Sequence, residues 1–197
     1  MPNVYVIGGC NAAGKTTIAM RVLPEALGCH EFVNADLIAA GLSPFRVESV
    51  ALQAGRLMLE RMNKLRDADV DFGFESTLAS RSFVPFLKSC QSRGYEVHLL
   101  YVWLDNVELA IERVAHRVLD GGHNIPEATI RRRYESSRRN FRELYQPLAN
   151  TWRVFDNSIE PMLVDGLDDE MTRRMLGSAK YAVVEIKARI HENSELL

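Results

Sequence analysis

The stretch G-C-N-A-A-G-K-T-T at residues 9–17 decides how the rest of the chain is read. It fits G-x-x-x-x-G-K-[ST], a loop whose backbone amides curl around phosphate. Val4, Val6 and Ile7 precede it as an apolar, β-branched run suited to a buried strand. Residues 16–23 follow with helical spacing. Strand, glycine loop and helix in that order make the pattern physical. The amides from Cys10 to Thr16 can face a phosphate, and the helix N-terminus adds its positive dipole end. In such loops the lysine, here Lys15, reaches the β- and γ-phosphates and the hydroxyl, here Thr16, holds Mg²⁺. Gly9, Asn11, Ala12, Ala13, Gly14, Lys15, Thr16 and Thr17 are therefore expected to contact ATP or GTP. The loop alone does not say where the phosphate goes.

Outward from the loop, strand-like and helix-like patterns alternate. Short apolar strands are expected at 4–8, 31–35, 70–75, 97–104 and 153–156. Helices are expected at 15–26, 47–67, 81–93, 106–120, 126–149 and 168–192. This alternation predicts an α/β fold, a mainly parallel sheet with helices on both faces. Such sheets bind ligands at the carboxyl ends of their strands. The residues there are Gly8 and Gly9, Asn34 to Asp36, Glu75 to Thr77, Asp105, and Asp156 with Asn157. Acids and hydroxyls dominate that set, as a Mg²⁺–nucleotide site requires.

The length of 197 residues suits one domain, 1–197. The net charge of −2 argues against a polycation built for nucleic acid. Charge is uneven, though: six arginines between 131 and 142 face one acid, Glu135. The cysteines, Cys10, Cys29 and Cys90, are odd in number and form no C-x-x-C pair, which suits a reducing cytoplasm. Cys10 reads as a small filler in the loop rather than a redox switch. No signal peptide is expected, because the first apolar run breaks at Gly8 and Gly9, and no run nears the ~20 apolar residues of a membrane span.

Phosphoryl transfer needs a phosphate cradle, Mg²⁺, positive charge on the moving group and a residue that positions the acceptor. Arg113 and Arg117, four apart, share a helix face. They precede a turn, D-G-G-H-N-I at 120–125, and a second helix that carries residues 131–133. A helix, glycine turn and arginine helix at a phosphate site reads as a lid, about 113–140. Its lone His123 could donate to a phosphate, and no partner at metal spacing supports zinc. Asp36 ends the second strand; it suits a base for an acceptor hydroxyl, and equally an N-cap for the apolar run after it. Two strand ends compete for Mg²⁺ support. Asp105 is the plainer hydrophobic run ending in an acid, yet it precedes a helix and is explained as an N-cap. Glu75 is favoured by topology, since in kinase-like sheets the third strand lies beside the loop strand. Ser76 and Thr77 add hydroxyls for substrate. Tyr134, Phe141, Tyr145 and Trp152 suit a helix packed on the sheet better than a base-stacking surface.

The ordered set of motifs resembles the zeta-toxin-like family of phosphate-loop kinases. The matching residues are 9–17, F-V-N-A-D at 32–36 with G-L-S-P at 41–44, F-E-S-T-L at 74–78, R-V-L-D-G-G-H-N-I-P at 117–126, I-R-R-R-Y at 130–134 and W-R-V-F-D-N-S at 152–158. The resemblance implies a P-loop NTPase fold, kinase-like and doubly wound, with five strands in the order 2-3-1-4-5 and a helical lid. It implies ATP and Mg²⁺ as cofactors, with Thr16 on the metal. It makes Asp36 the base, Glu75 and Thr77 acceptor-side residues, and Arg117 with one of 131–133 the lid arginines, Arg132 standing as the expected one. Arg113 joins the nucleotide contacts, and Asp156–Asn157 the adenine end. Lys15, Asp36, Arg117 and Arg132 are then the expected catalytic set.

The function expected is transfer of the γ-phosphate of ATP to a small-molecule hydroxyl. The family suggests a nucleotide sugar such as UDP-N-acetylglucosamine, and an antitoxin protein as partner. This chain is shorter than the plasmid-borne toxins and its lid is compact. A polynucleotide kinase, or a non-catalytic nucleotide-binding module docking protein or RNA through its arginine helix, is the alternative. No chemistry is expected from 159–197, which suits a sheet edge or an interface.

Overall fold

The computed structural model describes residues 1–119, 121–122, 124–158 and, for the backbone, 162–166. The expected helix at 168–192, His123 and Asp120 lie outside the described residues. Five parallel strands form the body of one sheet: β1 (Asn3–Gly9), β2 (Phe32–Val33), β3 (Phe72–Ser76), β4 (Glu96–Trp103) and β5 (Thr151–Asp156). Their order is β2-β3-β1-β4-β5, and a sixth strand, β6 (Met162–Gly166), joins β5 antiparallel at the edge. The parallel order is the one expected. The sixth strand is an addition, from a segment read only as edge or interface.

The helices are α1 (Lys15–Leu27), α2 (Ala35–Leu42), α3 (Ala51–Asp67), α4 (Phe83–Ser92), α5 (Val107–Leu119) and α6 (Glu127–Asn140). Strand alternation builds a core on each face of the sheet. Tyr5 and Ile7 of β1 point into one core, with Ile18, Val22 and Leu23 of α1 and Val114 of α5. Val4 and Val6 point into the other, with Met58, Met62 and Leu65 of α3 and Leu87 of α4. The run 126–149, expected as one helix, is divided: α6 gives way to a π-helical turn at Phe141–Tyr145 and a 3₁₀ turn at Gln146–Leu148, where Pro147 lacks an N–H to extend an α-helix.

The path of α6 links the two cores. Ile130 and Tyr134 lie in the α1 core, whereas Phe141 and Tyr145, just beyond the helix, lie in the α3 core. Between them, the Tyr134 hydroxyl donates to the Leu104 carbonyl at the end of β4 (2.7 Å), and Ser137 meets the Tyr101 hydroxyl (2.9 Å). α6 therefore passes from one face to the other across the carboxyl edge of the sheet. Its aromatics pack as expected: Tyr134 and Tyr145 are buried, and Phe141 stacks on Tyr101 at 4.3 Å.

Candidate active site

Residues 9–14 between β1 and α1 adopt a backbone that few residue types permit. Gly9 has φ +141°, and a Cβ there would lie 2.3 Å from the Val102 carbonyl oxygen. Gly14 has φ +90°, and a Cβ there would lie 2.4 Å from Asn157 Nδ2. Ala12 between them also has positive φ, +57°. The result turns the chain sharply into α1, whose N-cap, Gly14, offers no side-chain acceptor. With no acid in the first turn, the first amides of α1 are left for an anion.

Lys15 is buried at 6% exposure. Its Nζ donates to the Cys10 carbonyl (2.7 Å) and pairs with Glu75 Oε1 (3.6 Å). A buried ammonium needs such partners, because uncompensated burial of charge is expensive. Thr16 Oγ1 donates to the other Glu75 oxygen at 2.6 Å. Glu75 ends β3 beside the loop because β3 pairs with β1 in parallel, Ile7 opposite Glu75. The expected adjacency of the third strand to the loop strand puts Glu75, and not Asp105, within hydrogen-bond distance of Thr16. Asp105 is exposed, and the N-cap reading given to it is corrected: Asn106 Oδ1 accepts from the Leu109 amide at 2.8 Å.

The N-cap reading of Asp36 is corrected in the same way. Asn34 Oδ1 accepts from the amides of Asp36 (2.8 Å) and Leu37 (3.2 Å), capping α2. Those two bonds fix the orientation of the amide, so its Nδ2 turns to Glu75 Oε2 at 2.7 Å. Asn34 is 5% exposed and links the start of α2 to the phosphate loop. Asp36 is relieved of capping and sits exposed in the first turn of α2. In the sequence Asn34 stands out only as a strand-end residue. The signal for its capping role is the helix-forming A-D-L-I-A-A run directly after it.

The arginines separate. Arg113 donates to the carbonyls of Asn157 (2.8 Å) and Ser158 (3.2 Å). Asn157 Nδ2 in turn donates to the Ala13 carbonyl at 2.8 Å, so Arg113 braces the loop through Asn157. Of the three neighbours at 131–133, Arg133 reaches the loop, with its guanidinium 3.5 Å from Asn11 Oδ1. Arg132 lies on the exposed face of α6. Arg131 joins α6 to α5 through Glu108 (2.9 Å) and bonds Glu127 one turn back (2.8 Å). Arg117 is exposed, with its stem against Gly122. Arg138 stacks on Trp103 at 4.3 Å and donates to the Tyr134 hydroxyl. Three of the six arginines are thus engaged, Arg131 in salt bridges, Arg133 at the loop and Arg138 on an aromatic stack, while Arg132, Arg139 and Arg142 lie exposed.

Thr17 is exposed, and Ser76 and Thr77 are half-buried. Ser76 Oγ accepts from the Leu78 amide (3.0 Å) and Thr77 Oγ1 from the Ala79 amide (3.4 Å). Both hydroxyls keep a proton to donate. Cys10 is 3% exposed, and burial pushes its thiol up to about 11, against the pull of Lys15, Arg113 and Arg138. It stays a neutral thiol at neutral pH, in line with a filler role. Among the described residues no group of three or more His, Cys, Asp or Glu could hold a metal by itself. A Mg²⁺ ion that arrives with nucleotide needs few protein ligands, since phosphate oxygens and waters complete its octahedron. The Thr16 hydroxyl with Glu75 beside it fits that demand. Among the described residues no helix is long and apolar enough to cross a membrane.

The zeta toxin family model matches residues 35–165. The chain belongs to the zeta-toxin family. A curated but uncharacterised protein of Haemophilus influenzae is 28% identical over 132 residues, 64% of this chain and 88% of that one. Among solved structures, a chain of the PezAT chromosomal toxin–antitoxin system of Streptococcus pneumoniae superposes with TM-score 0.62 at 16% identity, over 100% of this chain and 85% of that chain. The AvrRxo1-ORF1:AvrRxo1-ORF2 complex solved with sulphate ions gives TM-score 0.71 at 19% identity over 98% of this chain, which spans 63% of that one. At these identities the likeness speaks for the fold, and the fold is that of the phosphate-loop kinases. Family and fold together support a kinase-type phosphotransferase.

Proposed function

We propose that this zeta-toxin family member is an ATP-dependent kinase that transfers the γ-phosphate to a hydroxyl of a small molecule. A nucleotide sugar such as UDP-N-acetylglucosamine is the first acceptor to test. The observation that carries the proposal is the junction of donor and acceptor sides at Asn34. One end of that amide holds Glu75 against Thr16 and Lys15, and the other caps the helix that bears Asp36.

Amides of 9–16 cradle the β- and γ-phosphates, and Lys15 leaves its carbonyl partner to meet them. Mg²⁺, held by Thr16 with Glu75 nearby, would neutralise charge on the phosphates. Asp36 accepts the proton of the acceptor hydroxyl as its oxygen bonds to the γ-phosphorus. The bond from that phosphorus to the bridging oxygen breaks, and ADP leaves. Arg133 supplies positive charge to the transferred group from α6, and Arg117 does so from α5. Ser76 and Thr77 donate their remaining protons to the acceptor. The PezAT structure is of a toxin–antitoxin system, and by that likeness an antitoxin is the proposed protein partner.

The test follows ADP release and phosphorylated product with MgATP and a panel of hydroxyl acceptors. Lys15→Ala and Asp36→Asn should each remove most transfer. Should both variants turn over the true acceptor as fast as the parent, the assigned roles are wrong.

A further inference from the structure

Ser76 ends β3 and Thr77 opens the turn after it, and that turn is held in a conformation that its own sequence does not favour. Leu78 is a branched residue at φ +55°, in the left-handed region that such residues rarely occupy. Its side chain is fully buried. A Cβ placed on Gly8 would lie 2.4 Å from Leu78 Cδ1, so the leucine packs directly on the strand that launches the phosphate loop. The local hydrogen bonds are the Leu78 amide to Ser76 and, at a long 3.4 Å, the Ala79 amide of the next peptide to Thr77.

The carbonyl side of that peptide is held from α6 by a shorter bond. Asn140, the last residue of α6, is 2% exposed, and its Nδ2 donates to the Leu78 carbonyl at 2.8 Å. In the turn just beyond it, the Tyr145 hydroxyl donates to the Ser80 carbonyl. Two carbonyls of one turn are thus bonded to one strap, which also carries Arg133 at the phosphate loop. Asn140 is a costly residue to bury for packing alone: its Oδ1 has no partner among the described residues. A buried amide with one unmet acceptor persists where its donor is needed.

We infer that Asn140 is a positioning residue for the acceptor side. By holding the Leu78 peptide it fixes where Ser76 and Thr77 stand relative to the phosphate loop. This rests on the reading of those hydroxyls as acceptor-side groups, and its test separates the two.

Asn140→Leu keeps the branching and heavy-atom count of the side chain and removes the donor, and Tyr145→Phe removes the second bond with little change in packing. Hydrogen exchange of peptides spanning 76–82 needs no acceptor. We expect exchange there to rise about tenfold or more in Asn140→Leu, while MgATP binds within about threefold of the parent. Tyr145→Phe should show a smaller rise at the same turn. With UDP-N-acetylglucosamine as acceptor probe, KM for the probe should rise about tenfold with kcat changed far less and KM for ATP unmoved. Unchanged exchange in both variants would overturn the inference, as would MgATP affinity falling in parallel with acceptor affinity. If the parent binds MgATP yet phosphorylates no probe, the acceptor proposal fails, while the exchange and nucleotide results still decide the role of Asn140. If Asn140→Leu does not fold, Tyr145→Phe decides by the same readouts.

Discussion

Asn34 makes two separable contributions, and substituting it tests the site as built. Asn34→Ala removes the N-cap of α2 and the donor to Glu75. Loss of a cap costs about 1 kcal/mol. Loss of a hydrogen bond to a charged group costs about 1.5–3 kcal/mol, more so where the group is buried. The Glu75 side chain is 11% exposed, so little screening reduces the second figure. The expected loss is about 2.5–4 kcal/mol, a large part of the roughly 5–15 kcal/mol that holds a typical domain.

Asn34→Asp dissects this sum. Aspartate keeps an oxygen for the amides of Asp36 and Leu37, so the cap survives. It replaces the donor with a second carboxylate where Nδ2 now lies 2.7 Å from Glu75. Two carboxylates that close share a proton, so one folded-state pKa rises above its unfolded value of roughly 4. A group with a raised folded pKa contributes stability at low pH, and that contribution is lost as pH rises through the folded value. Urea unfolding at pH 5 and pH 8 should therefore place Asn34→Asp nearer the parent at pH 5 and further below it at pH 8. Asn34→Ala should show no such trend. An alanine variant within about 0.5 kcal/mol of the parent would refute the linkage drawn through Asn34. So would an aspartate variant whose deficit is the same at both pH values.

Three further outcomes rest on the same geometry. In steady-state assays Arg133→Ala should lower kcat at least about a hundredfold, as arginines on a transferred phosphoryl group do, with Arg132→Ala within about threefold of the parent; the reverse order would return the role to Arg132. Gly9→Ala should abolish MgATP binding or folding, because its Cβ meets a backbone carbonyl at 2.3 Å, whereas Gly14→Ala meets a side chain that can swing away; isothermal titration and thermal melts should rank them so, and equal effects would contradict the loop geometry. Buried thiols with Cys10 up to about 11 should react with a disulfide reagent at pH 8 more than about a hundredfold slower when native than in urea; rapid native labelling of Cys10 would show that the loop opens.

What was legible in the sequence was whatever the backbone enforces locally. The loop at 9–17 declares itself because only glycine tolerates the positions of Gly9 and Gly14, and a pattern of residue types records that. The strand order followed from alternation plus the kinase-like resemblance. What was not legible rests on contacts between distant residues. Thr16 and Glu75 are 59 positions apart, Asn11 and Arg133 are 122 apart, and Leu78 and Asn140 are 62 apart. Three consecutive arginines cannot be told apart until the helix phase is known. The burial of Ile130, Tyr134 and Ser137 sets that phase, turning Arg133 toward the loop and Arg132 to solvent. Caps were misplaced by one or two residues for a related reason. Asp36 and Asp105 are good capping residues by type, but Asn34 and Asn106 stand where the chain turns into each helix. The sequence therefore exposes the half of the site made of main-chain amides. The half proposed to select an acceptor is made of side chains on β3, α2 and α6. That half has to be decided by acceptor assays on the Asp36, Arg133 and Asn140 variants.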